Sequence, residues 1–237
     1  MSESLTGVSI KPIKMSALSW AIQSVRERGL VPTMKVAASA VADLSFDWRH
    51  GTNTMRWVEV SDLGAAGANR RYSVRYQATK ARPLWTLLNS LDLPRNGGFV
   101  DFGSGKGRVL LMAALYGFST ICGIEFSPDL CECSRRNVEI FKRRSGVTTR
   151  IEVLLLDAAL YSIQPDQAVF FMYNPFGDAV MTQVLANLRK SFEAARRQIW
   201  LVYNTPTCHD VILRSGLFQT HSRREIGGTE FRVYSTG

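Results

Sequence analysis

The stretch that decides the fold is FVDFGSGKGRVLLMAA, residues 99–114. Its apolar beginning predicts a buried strand, and the apolar run Val109–Tyr116 predicts a helix directly after it. Between them stand three glycines at alternate positions, Gly103, Gly105 and Gly107. Glycine permits a tight turn and lets the backbone lie against a ligand. The stretch therefore predicts a strand, a ligand-binding loop and a helix of an open α/β sheet.

The spacing of these glycines excludes two common nucleotide-binding loops. It is neither the G-x-G-x-x-G of dinucleotide-binding enzymes nor a phosphate-binding P-loop. Asp101, two residues before the first glycine, would repel a pyrophosphate, but it can accept charge-assisted hydrogen bonds from a cationic group. We therefore expect a ligand with a positively charged group at this loop.

The rest of the chain continues the alternation of strands and helices. Apolar runs predict seven strands, at residues 98–102, 119–125, 150–156, 168–173, 198–203, 217–222 and 230–235. Helical patterns lie at residues 16–28, 34–44, 82–92, 109–116, 129–143 and 179–196. The alternation indicates a mostly parallel sheet with helices on both faces, and the Gly227-Gly228 turn makes the last two strands an antiparallel hairpin at one edge. The predicted fold class is α/β, with residues 1–75 as a helical and irregular cap and residues 76–237 as the main domain.

Composition and charge narrow the function classes. The 237 residues are 46% hydrophobic and 21% charged, which is typical of a globular chain. The longest apolar run, Val109–Phe118, is half of what a membrane span needs, and no signal sequence is visible. The four cysteines show neither disulfide nor zinc spacing, so we expect a cytoplasmic protein without a metal. The net charge of +9 fits solvated helix faces better than a nucleic-acid partner, because no aromatic-interleaved binding motif accompanies it.

The glycine loop belongs to a longer resemblance. An acid followed by three alternate glycines after a first strand resembles motif I of class I S-adenosylmethionine (SAM) methyltransferases. The combination FVDFGSGKGRVLLMAA, GIEFS and YNPFG, preceded by RYQATKARP, is similar to a largely uncharacterised bacterial family of these enzymes. A shorter likeness, in the glycine loop and the NPFG segment, is to the non-SET histone-lysine methyltransferases. The resemblance covers about residues 76–237 and implies a Rossmann-like methyltransferase sheet with SAM as the cofactor.

The resemblance also implies which residues bind SAM. Glu125, at the end of the second strand, would take both ribose hydroxyls, since a carboxylate can accept two hydrogen bonds. Asp157 would accept from the adenine amino group, and Ala158 would offer its backbone N–H to the ring. Tyr76 and Thr79 are candidate lid contacts over the methionine end of SAM. The remaining predicted cofactor-binding residues are Asp101, Gly103, Ser104, Gly105, Gly107 and Asn174.

The segment Tyr173-Asn174-Pro175-Phe176 ends the fourth strand and suggests the kind of transfer. It resembles the Asn-Pro-Pro-Tyr/Phe loop of amino-group methyltransferases, although one proline stands where that loop has two. In that loop an amide oxygen and a backbone carbonyl accept hydrogen bonds from the target amino group. By this resemblance Asn174, Tyr173 and Phe176 are the candidate catalytic residues, with Phe176 as an aromatic wall. We expect methyl transfer to a nitrogen of a small molecule or a peptide side chain.

Other interpretations remain open at this stage. The chain could methylate nucleic acid, or it could transfer or cyclise the aminobutyrate arm of SAM and release methylthioadenosine. It could also be a SAM-binding module without turnover. The segment Tyr203-Asn204-Thr205-Pro206 is either part of the substrate pocket or a turn that ends the fifth strand. His209, between Cys208 and Asp210, does not predict a catalytic triad, because adjacent side chains on one segment point apart.

Overall fold

A computed structural model of the protein describes residues 17–55 and 77–237. Tyr76 and the predicted cap boundary between residues 75 and 76 lie outside the described residues, and both stay predictions. The chain divides into two compact units, Met1–Ala40 and Val41–Gly237.

Two helices occupy the described part before residue 51. Helix α1 spans Ala17–Arg28, and helix α2 spans Leu30–His50. Gly29 ends α1 with a φ of +87°, as expected for a helix C-terminal glycine. Helix α2 is longer at both ends than the predicted residues 34–44. Pro32 does not prevent the earlier start, because proline is tolerated in the first turn of a helix.

A seven-stranded sheet forms the centre of the second unit. Its strands are β1 (Gly98–Phe102), β2 (Thr120–Glu125), β3 (Arg150–Leu155), β4 (Gln167–Tyr173), β5 (Trp200–Asn204), β6 (Thr220–Ile226) and β7 (Thr229–Ser235). Their order is β3-β2-β1-β4-β5-β7-β6. The first five strands are parallel, while β7 pairs antiparallel with both β5 and β6. The predicted α/β sheet with a terminal antiparallel hairpin is confirmed.

Helices cover both faces of this sheet. They are α3 (Ala81–Asn89), α4 (Arg108–Tyr116), α5 (Pro128–Ser145), α6 (Asp178–Ala194), α7 (His209–Arg214) and a short 3-10 helix, Ala158–Leu160. All five residues of β1 are buried, and neighbouring residues of β4, Phe170 and Phe171, pack into two different apolar clusters. The centre of the sheet is therefore covered on both faces. This leaves the carboxyl ends of β1, β2, β4 and β5 as the place for a ligand.

Within the described residues, none of the helices combines the length and the apolar character that crossing a membrane requires.

Candidate SAM-binding site

The glycine loop connects β1 to α4 and needs its glycines for two reasons. Gly103, Gly105 and Gly107 have φ values of +74°, +54° and +85°, in the left-handed region that side chains disfavour. A Cβ on Gly103 would also lie 2.5 Å from the Cβ of Pro175. The loop is thus packed directly against the segment that ends β4, and the two predicted motifs form one site.

Asp101 is the most unusual group of this site. Its side chain is 2% exposed, on the strand that enters the glycine loop, and it lines the pocket there. Burial raises the pKa of Asp101 well above its ordinary value, and the nearby carboxylate of Glu125 raises it further. Among the described residues no hydrogen bond to this carboxylate opposes the shift. A buried acid without a partner is costly, so the site is built for a group that complements it.

Glu125 is equally buried but has protein partners. Its Oε2 accepts a hydrogen bond from the Gly105 backbone N–H at 2.8 Å, and its Oε1 accepts from the Ser127 N–H at 3.0 Å. Burial raises the pKa of Glu125, and these backbone hydrogen bonds oppose the rise. The Phe126 backbone N–H is a third donor to this carboxylate. The carboxylate therefore fixes the glycine loop, and one of its lone pairs is left for a ligand.

Ser104 supplies a second buried group without a partner. Its Oγ has no hydrogen-bond partner in the part of the chain that the structure describes. A Cβ on Gly123 of β2 would come within 2.8 Å of this oxygen, so only glycine leaves room for the serine there. The hydroxyl lies beside the same pocket as Asp101.

The residues that follow β4 and β5 also line the pocket. Asn174 and Thr205 follow these strands, and both have a positive φ, +39° and +53°. Residues other than glycine that have a positive φ are strained, and they are found preferentially at functional sites. The Thr207 hydroxyl donates a hydrogen bond to the Asn174 Oδ1, and Tyr173 is hydrogen bonded to Thr205. Burial raises the pKa of Tyr173, so its hydroxyl stays protonated at neutral pH.

The structure brings most of the predicted site residues to one pocket. Its lining contains Thr79, Asp101, Gly103, Ser104, Gly105, Glu125, Tyr173 and Asn174. It also contains Thr205, which favours the pocket interpretation of the segment after β5 over a plain turn.

Four predicted residues are not in this lining. Gly107 faces α5, where a Cβ would lie 2.4 Å from the Ser134 Oγ. Asp157 begins the 3-10 helix, and its Oδ1 accepts from the Ala159 N–H at 2.9 Å. Ala158 is buried in the apolar cluster against which Phe176 packs. Their contacts with SAM, and the role of Phe176 as an aromatic wall, stay predictions that this pocket does not itself support.

Several lining residues were not predicted from the sequence, and Phe126 and Arg108 are the most informative of them. Phe126 follows Glu125 directly and is 39% exposed, which offers an apolar surface at the pocket. Arg108 begins α4 and is fully buried beside the loop. The sequence could have indicated this residue, because a charged side chain at the start of an otherwise apolar helix requires a counter-ion.

Comparisons with known proteins agree with this geometry. Residues 72–149 match the family model described as histone methylation protein DOT1, which covers the glycine loop. Over 82 residues the chain is 34% identical to the ribosomal protein L11 methyltransferase of Tolumonas auensis. That alignment covers 35% of this chain and 26% of the relative, so the chain spans about a quarter of the relative's length.

Solved structures show the same fold at low identity. The pyocyanin biosynthetic protein PhzM superposes with a TM-score of 0.52 at 14% identity, over 65% of this chain and 54% of that one. A protein of the NADB-Rossmann superfamily from Streptococcus agalactiae gives 0.50 at 14% identity, over 68% of each chain. The Rossmann-like sheet is confirmed by these structures, and the resemblance to class I SAM-dependent methyltransferases is confirmed by the sequence matches.

Proposed function

We propose that this chain is a SAM-dependent methyltransferase that acts on a nitrogen, preferably of a peptide side chain. The observation that carries the proposal is the buried Asp101 carboxylate, which lines the pocket without a hydrogen-bond partner among the described residues. A cationic ligand group would complement it, and a phosphate would be repelled.

The residues around Asp101 fit SAM. SAM supplies a methyl group on a positively charged sulfur, together with a cationic amino group and a ribose diol. Asp101 would hold the positive end, and the unpartnered Ser104 hydroxyl would hydrogen bond to the amino-acid part. Glu125 would accept from the diol with the lone pair that Gly105, Ser127 and Phe126 leave available. The backbone of Gly103 and Gly105 would lie against the ligand without side-chain interference.

Asn174 supports nitrogen as the acceptor atom. It lines the pocket with a positive φ, and its Oδ1 accepts a hydrogen bond from the Thr207 hydroxyl. A carboxamide oxygen has two lone pairs, so one can accept from an incoming N–H and direct the nitrogen lone pair. This is an orienting role, and orientation is the main contribution a protein makes to a displacement of this type.

A protein acceptor is favoured over nucleic acid. The relatives that match are named for the methylation of histones and of a ribosomal protein. The basic residues of α5 are interleaved with acids, because Glu132 and Arg136, like Glu139 and Arg143, are four residues apart on its exposed face. Such a face is typical of a solvated helix rather than of a continuous phosphate-binding surface. All four cysteines are free, which fits the cytoplasmic location that we also propose.

The test is a product analysis with methyl-labelled SAM. A pool of lysine-containing peptides and total RNA serve as separate acceptors, and mass spectrometry identifies the products. We expect S-adenosylhomocysteine together with label on the peptides. Methylthioadenosine as the product would contradict methyl transfer and would indicate transfer or cyclisation of the aminobutyrate arm. Label on RNA alone would replace the peptide acceptor, and SAM binding without any product would make the chain a binding module.

A further inference from the structure

Arg108 is a buried cation in the wall of the SAM pocket. It directly follows Gly107, begins helix α4 and is 2% exposed. A positive charge at a helix N-terminus opposes the helix dipole, and a cation here would also repel a cationic ligand. Something must therefore neutralise Arg108 before the pocket can accept SAM.

The neutralising groups come from the end of α2 and the turn after it. Arg108 Nη1 lies 2.9 Å from the Asp43 Oδ1, and its Nη2 donates to the Asp43 backbone oxygen at 2.8 Å. The Nε donates to the Thr54 Oγ1 at 2.8 Å, and the Asp47 carboxylate lies 3.7 Å from Nη2. The Phe46 ring is 5.1 Å from the guanidinium. Two carboxylates thus face one guanidinium. The cluster of Asp43, Asp47 and Arg108 therefore has a net negative charge.

The same oxygen of Asp43 holds a second wall of the pocket. Its Oδ1 accepts a hydrogen bond from the Ala81 backbone N–H at 2.7 Å, at the first residue of α3. The residues just before α3, from Gln77 to Thr79, line the pocket. One buried oxygen therefore connects the helix after the glycine loop to the segment before α3, and both line the pocket.

We propose that Asp43 is a positioning residue for SAM. Through Arg108 and Ala81 it sets the separation of the two walls, and it screens the positive charge of Arg108 from the cationic ligand. The inference rests on the proposed function, and it makes Asp43 and Thr54, which lie far from the glycine loop in sequence, part of the SAM-binding unit.

The primary test is the Asp43→Asn variant, which keeps the shape of the side chain and loses its charge. Calorimetric titration with SAM should show at least tenfold weaker binding than wild type. Hydrogen exchange at the amides of Gly105 and Lys106 in the free protein should become faster, since the start of α4 is held less firmly once the Asp43 charge is lost. The matched control is Arg197→Gln, because Arg197 is tied to four backbone oxygens at the far edge of the sheet. It should lower the melting temperature and leave both readouts unchanged.

If Asp43→Asn does not fold, a milder pair of variants at Thr54 tests the same proposal. Thr54→Val removes the hydroxyl that accepts from Arg108 and donates to the Asp47 Oδ1 at 2.6 Å, while Thr54→Ser keeps it. We expect roughly threefold weaker SAM binding for valine and wild-type binding for serine. Unchanged affinity and exchange in Asp43→Asn, or in Thr54→Val where that is the variant measured, would overturn the positioning role alone. Wild-type protein that does not bind SAM would overturn the proposed function, and this inference with it.

Discussion

At the amino-terminal end of β4, the side chains of Gln167, Tyr161 and Arg197 all have hydrogen-bond partners within the protein. Gln167 Nε2 donates to the Tyr161 hydroxyl at 2.6 Å, and Arg197 donates to the Gln167 backbone oxygen at 2.8 Å. At the opposite edge, where β1 ends, the Asp101 carboxylate and the Ser104 hydroxyl are buried without partners among the described residues.

The two ends of the strands differ in whether their buried polar groups require a ligand as a partner. The amino-terminal edge also contains one unpartnered donor, the Trp200 Nε1, but that group is neutral. At the carboxyl edge the unpartnered group is an acid, whose burial is far more expensive than that of a neutral polar group. A ligand with a positive charge would remove that cost. We therefore interpret the amino-terminal ends of the strands as structural, and we propose that the carboxyl ends are a binding site at which stability is lower because of its function.

The largest effect is expected at Asn174. Replacing it by alanine should lower turnover by about 100-fold, as when one group that orients or stabilises the reacting centre is lost. SAM affinity should stay within about twofold of wild type, because the side chain acts on the acceptor. Steady-state kinetics and calorimetry measure the two quantities. Asn89→Ala, an exposed residue of α3, is the control, and equal losses of turnover and affinity would assign Asn174 to SAM binding instead.

The next effect separates affinity from stability at Asp101. Asp101→Asn should weaken SAM binding by about 1–3 kcal/mol, because a charge-assisted hydrogen bond is lost. It should also raise the free energy of unfolding of the ligand-free protein by about 1 kcal/mol, because a buried unpaired charge is removed. Calorimetry and thermal denaturation check both. The exposed Asp92→Asn should change neither, and a destabilised Asp101→Asn that binds SAM normally would reverse the comparison of the two edges.

The opposite edge should respond the other way. Arg197→Gln should lower the free energy of unfolding by about 1–3 kcal/mol, because the backbone oxygens of Gln167 and Ala195 lose a donor. SAM affinity should not change, since these contacts are at the amino-terminal ends of the strands. Urea denaturation and calorimetry are the measurements. Weaker SAM binding in this variant would show that the two edges are coupled.

The smallest effect is on pH dependence. The pKa of Asp101 is raised in the folded protein, so the unfolded chain loses this proton first as the pH rises. Asp101 therefore lowers stability progressively above its ordinary pKa of 3.8, until the raised pKa is passed. The stability advantage of Asp101→Asn over wild type should grow across that window and then level off. An advantage that is constant with pH would mean that Asp101 is not the group that titrates.

Local patterns in the sequence were sufficient for the sheet. Each of the seven strands was predicted, and the Gly227-Gly228 turn gave the antiparallel hairpin, because periodicity and turn chemistry act over a few residues. The glycine loop was equally readable, since no other residue type fits its backbone. Asp101 was indicated by its place before the glycine loop, and Glu125 by the resemblance to class I SAM methyltransferases.

Long-range pairing was beyond those patterns. Asp43 and Arg108 are 65 residues apart, so no local rule pairs them. The sequence pattern around Asp43 predicted only a helix over residues 34–44. The resemblance to class I SAM methyltransferases implies a ligand contact for the Asp157 carboxylate, yet a capping hydrogen bond from the Ala159 N–H uses one of its oxygens. A strand-end acid can serve either purpose, and only the folded chain shows which donor is near.

The most direct test of the account is a calorimetric titration of the wild-type protein with SAM, repeated with Asp101→Asn, above the raised pKa of Asp101. We predict binding of one SAM per chain to the wild type and affinity about 5- to 150-fold lower in the variant, which corresponds to the loss of about 1–3 kcal/mol. Equal affinities would contradict the assignment of Asp101, and wild-type protein that takes up no SAM would contradict the account as a whole.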